Sequence, residues 1–142
     1  MLFLKRIFAS FLAFLFSIFP FLGTTETDPD SYKVDNNKLS VYLTSNASTG
    51  YSWKISDISE SVIKLEKEEY DNSMVPPGMV GASNIKVYTF KAVSEGKFKI
   101  QLIYDREWEN MIPLKICVIK GSVTKTGEIV IDSFKLTTNS LG

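Results

Sequence analysis

Lys97-Phe98-Lys99-Ile100-Gln101-Leu102-Ile103-Tyr104 is the most regular stretch of the chain. Phe98, Ile100, Leu102 and Tyr104 alternate with Lys97, Lys99, Gln101 and Ile103, the period of two expected of a strand with one face in a core. The same signature recurs on either side. Leu39, Val41 and Leu43 alternate with Ser40, Tyr42 and Thr44. Tyr51 to Ile55 reads as the next strand, with Tyr51 and Trp53 to one side and Trp53 as a core tryptophan beneath the sheet. Val62 to Leu65 reads as another strand, after a polar turn over Asp57 to Ser61. In Ile85 to Val93, Tyr88, Phe90 and Ala92 share a face, and Ser94-Glu95-Gly96 turns the chain. Pro113 to Lys120 is read as a strand with Leu114, Ile116 and Val118 as its apolar face.

Several short strands with no amphipathic helix between them predict an all-β, immunoglobulin-like β-sandwich or barrel. The domain is expected over 31–121, and 122–142 forms a C-terminal extension with a further strand over Glu128 to Leu136 that the pattern leaves unplaced. Glu66 to Asn84 has no clear periodicity and is expected to be a long loop, with its acidic start at Glu66, Glu68 and Glu69 a solvated strand end.

Ahead of the domain, Met1 to Leu22 carries Lys5 and Arg6 and then an almost wholly apolar run closed by Pro20 and Gly23. Residues 1–23 read as a signal peptide or signal anchor and 24–30 as a polar linker. The expected location is secreted or in a secretory or endolysosomal lumen (periplasmic in a bacterium), with membrane attachment only through an uncleaved N-terminal segment.

Composition removes several classes of chemistry. The chain has no histidine and one cysteine, which excludes Ser-His-Asp and Cys-His catalysis and any histidine-containing metal site. Cys117 lies in Ile116-Cys117-Val118 and is expected to be a buried, inert thiol. One cysteine makes no intrachain disulfide, so the fold must hold by its core. Sixteen basic residues balance sixteen acidic ones. The lysines are spread along the strands without forming a block, so no nucleic-acid partner is expected. Neither a cofactor nor a metal is expected, and no activity as an enzyme.

Three loops remain as candidates: Asn46-Ala47-Ser48-Thr49-Gly50, the stretch Pro76 to Ser83 with Gly78-Met79-Val80-Gly81, and Asp105 to Asn110 with Arg106-Glu107-Trp108. Polar turn residues and glycines on a rigid β base are where binding function concentrates, and in a sandwich the three loops can share one end. The ordered set N-A-S-T-G-Y-S-W, G-M-V-G, a Y-x-F-x-A strand, Gly96, an I-x-L-x-Y strand and R-E-W resembles the chagasin-like inhibitors of papain-family cysteine peptidases. Those inhibitors carry N-P-T-T-G-Y-x-W, a glycine-rich loop and R-P-W in that order. The resemblance covers roughly Lys38 to Lys120.

The resemblance implies a monomeric, reversible inhibitor whose three loops form a wedge across a papain-like cleft. Ser48 and Thr49 would lie at the target's catalytic cysteine, 78–81 would straddle one flank, and Arg106 and Trp108 would cover the other. Ala47 and Glu107 replace two prolines of the family pattern. Ala47 also makes Asn46-Ala47-Ser48 a glycosylation sequon, and a glycan there would block the wedge. The rival expectation is a non-inhibitory exported binding module for carbohydrate or adhesion, which would need aromatics gathered on one exposed face.

Overall fold

A computed structural model describes residues 28–73, 75, 77–79, 81–109 and 112–139. The signal segment and most of the linker lie outside the described residues. Eight antiparallel strands are present among those described: β1 (Ser31–Asp35), β2 (Lys38–Ser45), β3 (Ser52–Ile58), β4 (Ile63–Asp71), β5 (Asn84–Ala92), β6 (Gly96–Asp105), β7 (Lys115–Val123) and β8 (Ile129–Thr138). They form two four-stranded sheets, with order β1-β2-β5-β4 in sheet A and β3-β6-β7-β8 in sheet B. This is the expected all-β sandwich.

The core lies where the inward faces of the two sheets meet. Leu39, Val41 and Leu43 of β2 and Tyr88 and Phe90 of β5 face Phe98, Ile100, Leu102 and Tyr104 of β6, all of them buried. Burial of each such large apolar side chain contributes about 1.5–3 kcal/mol. Trp53 is buried as expected, and its Nε1 donates to the Thr44 carbonyl oxygen at 2.9 Å, which satisfies the one polar atom that burial would leave unpaired.

Four features depart from the expectations. The inward face of β7 is Cys117, Ile119, Gly121 and Val123, while Ile116 and Val118 are half-buried on the outer face. Ile116-Cys117-Val118-Ile119 is apolar at every position, so alternation cannot choose a face; pairing of Cys117 with Leu102 and Ile119 with Ile100 does. Second, β4 continues to Asp71, so the loop expected from Glu66 begins only at Asn72. A register shift between Leu65 and Lys67 breaks the alternation, and this edge strand is exposed along most of its length. Third, β3 runs through Asp57 to Ile58, again across a register shift, and the polar turn follows it. Fourth, the strand near Glu128–Leu136 now has a place. β8 pairs with β7 along its length, and its Phe134 lies 5.2 Å from Tyr32 of β1, so it brings the free edges of the two sheets together.

The last linker residue described is tied to the sheet. Asp30 accepts from the Thr44 backbone N–H at 3.0 Å and from its hydroxyl at 3.3 Å.

Gly121 marks where β8 crosses β7 most closely, at a register shift after Lys120. A Cβ there would run into the Val130 carbonyl oxygen and stand 2.9 Å from Phe98 Cζ. Gly121→Ala should therefore lower stability by about 1–3 kcal/mol through overpacking, read as a fall in the urea midpoint; an unchanged midpoint would contradict this packing.

Candidate functional site

The chain leaves β2 at Ser45 and makes one 3-10 turn over Ala47–Thr49 before β3. Asn46 caps that turn: its backbone is extended (φ −138°), and its Oδ1 accepts from the Ser48 N–H at 3.2 Å and from Ser48 Oγ at 2.6 Å. Its carbonyl oxygen accepts from the Thr49 N–H at 3.2 Å and from Thr49 Oγ1 at 2.6 Å. Gly50 ends the turn at φ +83°, in the left-handed region where a β-carbon is costly. Such local bonds remove freedom from a loop that is exposed at Ala47, Ser48 and Thr49.

The turn rests on an aromatic column. Tyr104 points into the core from β6, stacks against Trp53 at 5.0 Å and Tyr51 at 5.3 Å, and accepts the Asn46 backbone N–H on its hydroxyl at 3.0 Å. The arginine guanidinium lies over the other ring of the pair, with Arg106 Cζ 4.4 Å from the Tyr51 centroid.

Both neighbouring loops are bonded to this turn. From the second, the Gly81 carbonyl oxygen accepts from Asn46 Nδ2 at 3.1 Å. The base of that loop is closed by Asn84 Nδ2 donating to Asn72 Oδ1 at 2.8 Å and by the Ser73 N–H donating to Asp71 Oδ1 at 2.9 Å; the Ser73 bonds hold the Asp71 carboxyl below the ordinary carboxylate range. From the third loop, Arg106 Nε donates to the Thr49 carbonyl oxygen at 3.0 Å and Nη1 pairs with Glu109 Oε1 at 3.1 Å. Trp108 is 72% exposed, yet the far edge of its ring lies against Gly50, where a Cβ would sit 2.5 Å from Cη2 and 2.8 Å from Cζ2.

Asn46, Thr49, Gly50, Gly81, Arg106 and Trp108 are thus brought together at one end of the sandwich. Gly78 and Met79 are on the second loop but away from this knot, with Met79 57% exposed and open space around Gly78. Glu107 is exposed, and Val80 lies outside the described residues. Tyr51 stands beneath the turn, on the same side as Trp53 as expected, while Tyr104 and Glu109 support the site without having been singled out for it from the sequence. Strand alternation marks Tyr104 as core, but nothing in it reveals that the hydroxyl reaches a loop. Ile112, 67% exposed beyond the third loop, is a further apolar residue at this end.

The exposed tip presents the Ser48 and Thr49 hydroxyls, which donate to the side-chain and carbonyl oxygens of Asn46 rather than to an ionisable base, with Trp108 beside them. Cys117 is buried beneath sheet B; burial, with a smaller contribution from Asp30, pushes its thiol up to about 12.

Gly50→Ala should cost about 1–2 kcal/mol from the left-handed backbone alone and should swing Trp108 away from the turn. The check is acrylamide quenching of tryptophan fluorescence together with urea unfolding. A substituted protein with unchanged quenching and midpoint would contradict the contact.

Three comparisons with known proteins bear on the family of this chain. Residues 33–119 match the family model described as Chagasin family peptidase inhibitor I42. The chain is 34% identical over 80 residues to amoebiasin-2 of Entamoeba histolytica, an alignment covering 52% of this chain and 59% of that protein, so it spans about three fifths of this relative's length. Its backbone is similar to the crystal structure of the cysteine protease inhibitor EhICP2 from Entamoeba histolytica, with TM-score 0.53 and 30% identity over 60% of this chain and 77% of that one.

Proposed function

Because this chain belongs to the chagasin family of peptidase inhibitors, we propose that it is a reversible inhibitor of papain-like cysteine peptidases that acts by filling the active-site cleft with its three loops. The observation that carries the reading is the bonding of all three loops into one unit before any partner arrives, through Asn46 to Gly81, Arg106 to Thr49 and Trp108 against Gly50. An inhibitor of this kind needs no chemistry. It needs a convex tip that loses little conformational freedom on docking and an apolar group that gains by leaving water.

Ser48 and Thr49, exposed at the apex, enter deepest and meet the target's catalytic cysteine mainly through backbone bonds. Gly78 to Gly81 lie along one flank, with Met79 as the exposed apolar contact. Trp108 covers the other flank. Arg106 has a different part from the one its position in R-E-W suggests: its Nε and Nη1 are engaged inside the loop end, so it holds the apex and the Trp108 loop in register. A standard interface of about 800 Å² per partner is within the span of such a tip, and the domain acts as a monomer. The aromatics that a stacking carbohydrate module would gather on one exposed face are mostly in the core or at this end, which favours inhibition.

The rigid cap also bears on the sequon. Asn46 Nδ2 already donates to Gly81, and a glycan on it would stand between two loops of the wedge. If the chain passes through a secretory lumen, as its N-terminal segment supports, the inhibitory form carries Asn46 unmodified. Intact mass of the fraction that inhibits should show no glycan; full occupancy in that fraction would contradict the binding mode.

Titration of papain and a cathepsin L-like enzyme with the purified protein tests the activity itself, and full peptidase activity at micromolar protein would sink the proposal. Within the same assay Trp108→Ala should weaken inhibition by about 2 kcal/mol, roughly 30-fold, at an unchanged urea midpoint. Asn46→Asp keeps an N-cap of equal quality but removes the donor to Gly81. It should weaken inhibition about tenfold, as expected for one lost hydrogen bond that leaves oxygen facing oxygen.

A further inference from the structure

Four lysines that are scattered in the sequence come together on the outer face of sheet B. Phe98 and Ile100 point inward from β6, so Lys97 and Lys99 point outward. On β7, Lys120 lies between the buried Ile119 and Gly121 and faces out. On β8, Lys135 lies outward between the inward-packed Phe134 and Leu136. The register sets Lys99 directly opposite Lys120, and Lys135 opposite Val118, the next outward position along β7. All four are exposed. Two residues along β6, one step across to β7 and a diagonal step to β8 give a single file about 20 Å long.

This file is electrostatically costly. Like charges directly opposite on paired strands destabilise a sheet, and none of the four lysines takes part in an ion pair among the described residues, whereas in the lysine row across sheet A, where Lys38 and Lys64 both lie opposite Lys91, Lys38 is paired with Glu66. Beside the file is a hollow lined by Gly121, Lys97, Lys99, Lys120, Ser59, Ser133, one carboxylate, Asp132, and the edge of Phe98, which is itself only 4% exposed and presents no open ring face.

We propose that this stripe is a binding track for a linear polyanion, a sulfated polysaccharide. Sulfate esters stay ionised at any physiological pH, and hydrated lysine ammonium groups meet them as point charges without demanding a fixed geometry. The face offers no aromatic platform for bases, since Phe98, Tyr104 and Phe134 pack inward, which argues against single-stranded nucleic acid. The charges form one file, which matches a chain better than a plane of lipid headgroups. Lys97 and Lys99 lie at the start of β6, whose other end leads into the Arg106 loop, so the track is remote from the wedge and both can be occupied together. The inference is independent of the inhibitory reading.

The test is calorimetric titration of the full chain with a heparin oligosaccharide at low salt and at about 0.5 M NaCl. Binding should fall linearly on a log scale with salt as counterions return. Lys99→Gln with Lys120→Gln should weaken it at least about tenfold, while Lys33→Gln with Lys67→Gln in sheet A, where Lys33 lies opposite Ser40 and Lys67 pairs with Glu69, should leave it unchanged. Removing the opposed charges should hold or raise the urea midpoint, so lost binding is not lost folding, and peptidase inhibition should be the same with and without heparin. Heparin binding that is absent at low salt, or indifferent to the Lys99 and Lys120 substitutions, overturns the track. A greater loss on those substitutions for oligo-dT, or for phosphatidylserine vesicles, than for heparin overturns the choice of ligand.

Discussion

The hydroxyl of Tyr104 is where the core takes hold of the exposed turn. Its ring is one of the inward residues of β6, held against Trp53 and Tyr51, and its oxygen takes the backbone N–H of Asn46 at 3.0 Å. Everything in the exposed turn hangs from that point. Asn46 fixes Ser48 and Thr49 with its side chain and carbonyl, then reaches Gly81; Thr49 and Gly50 in turn receive Arg106 and Trp108. A loop held this way has already lost most of the freedom that docking would otherwise take from it.

Strict alternation made the strands legible wherever one face is wet and the other dry, as in β2 and β6. It failed where that contrast is missing. β7 is apolar on both faces, and only its register with β6 determines that Cys117 and Ile119 are inward. β4 is exposed along most of its length and carries a register shift that leaves Glu66 without a partner, so residues 66–71 show no period although 67–71 are paired with β5. Bulges on β3 and β4 also suit their position: each is the edge strand of its sheet, and an irregular edge resists pairing with another chain.

The three loops were legible as a set because glycine, asparagine and an isolated tryptophan in a charged stretch are local signals. Their mutual bonding was not. No spacing indicates that Asn46 Nδ2 finds Gly81 across 35 residues, or that Arg106 is directed inward to Thr49 across 57. The lysine stripe is the complementary case. A linear reading finds Lys97, Lys99, Lys120 and Lys135 dispersed, and the antiparallel order β6-β7-β8 puts them in one file.

The way the described chain enters and leaves the sandwich bears on how it can be handled. Asp30 is tied to Thr44, two residues before Asn46, and at the other terminus Asn139 donates to the carbonyl oxygens of Pro113 and Leu114, beside the end of β6. Both ends of the described chain therefore emerge at the same pole as the loops. A label or fusion partner joined directly before Asp28 or directly after Asn139 would stand at the same pole as the three loops. At the opposite pole, Asn36 and Asn37 are tied by their carbonyl oxygens to Ile129 and Ala92, whereas the Thr124 to Gly127 turn is bonded within its own hairpin and is the more permissive place for insertion.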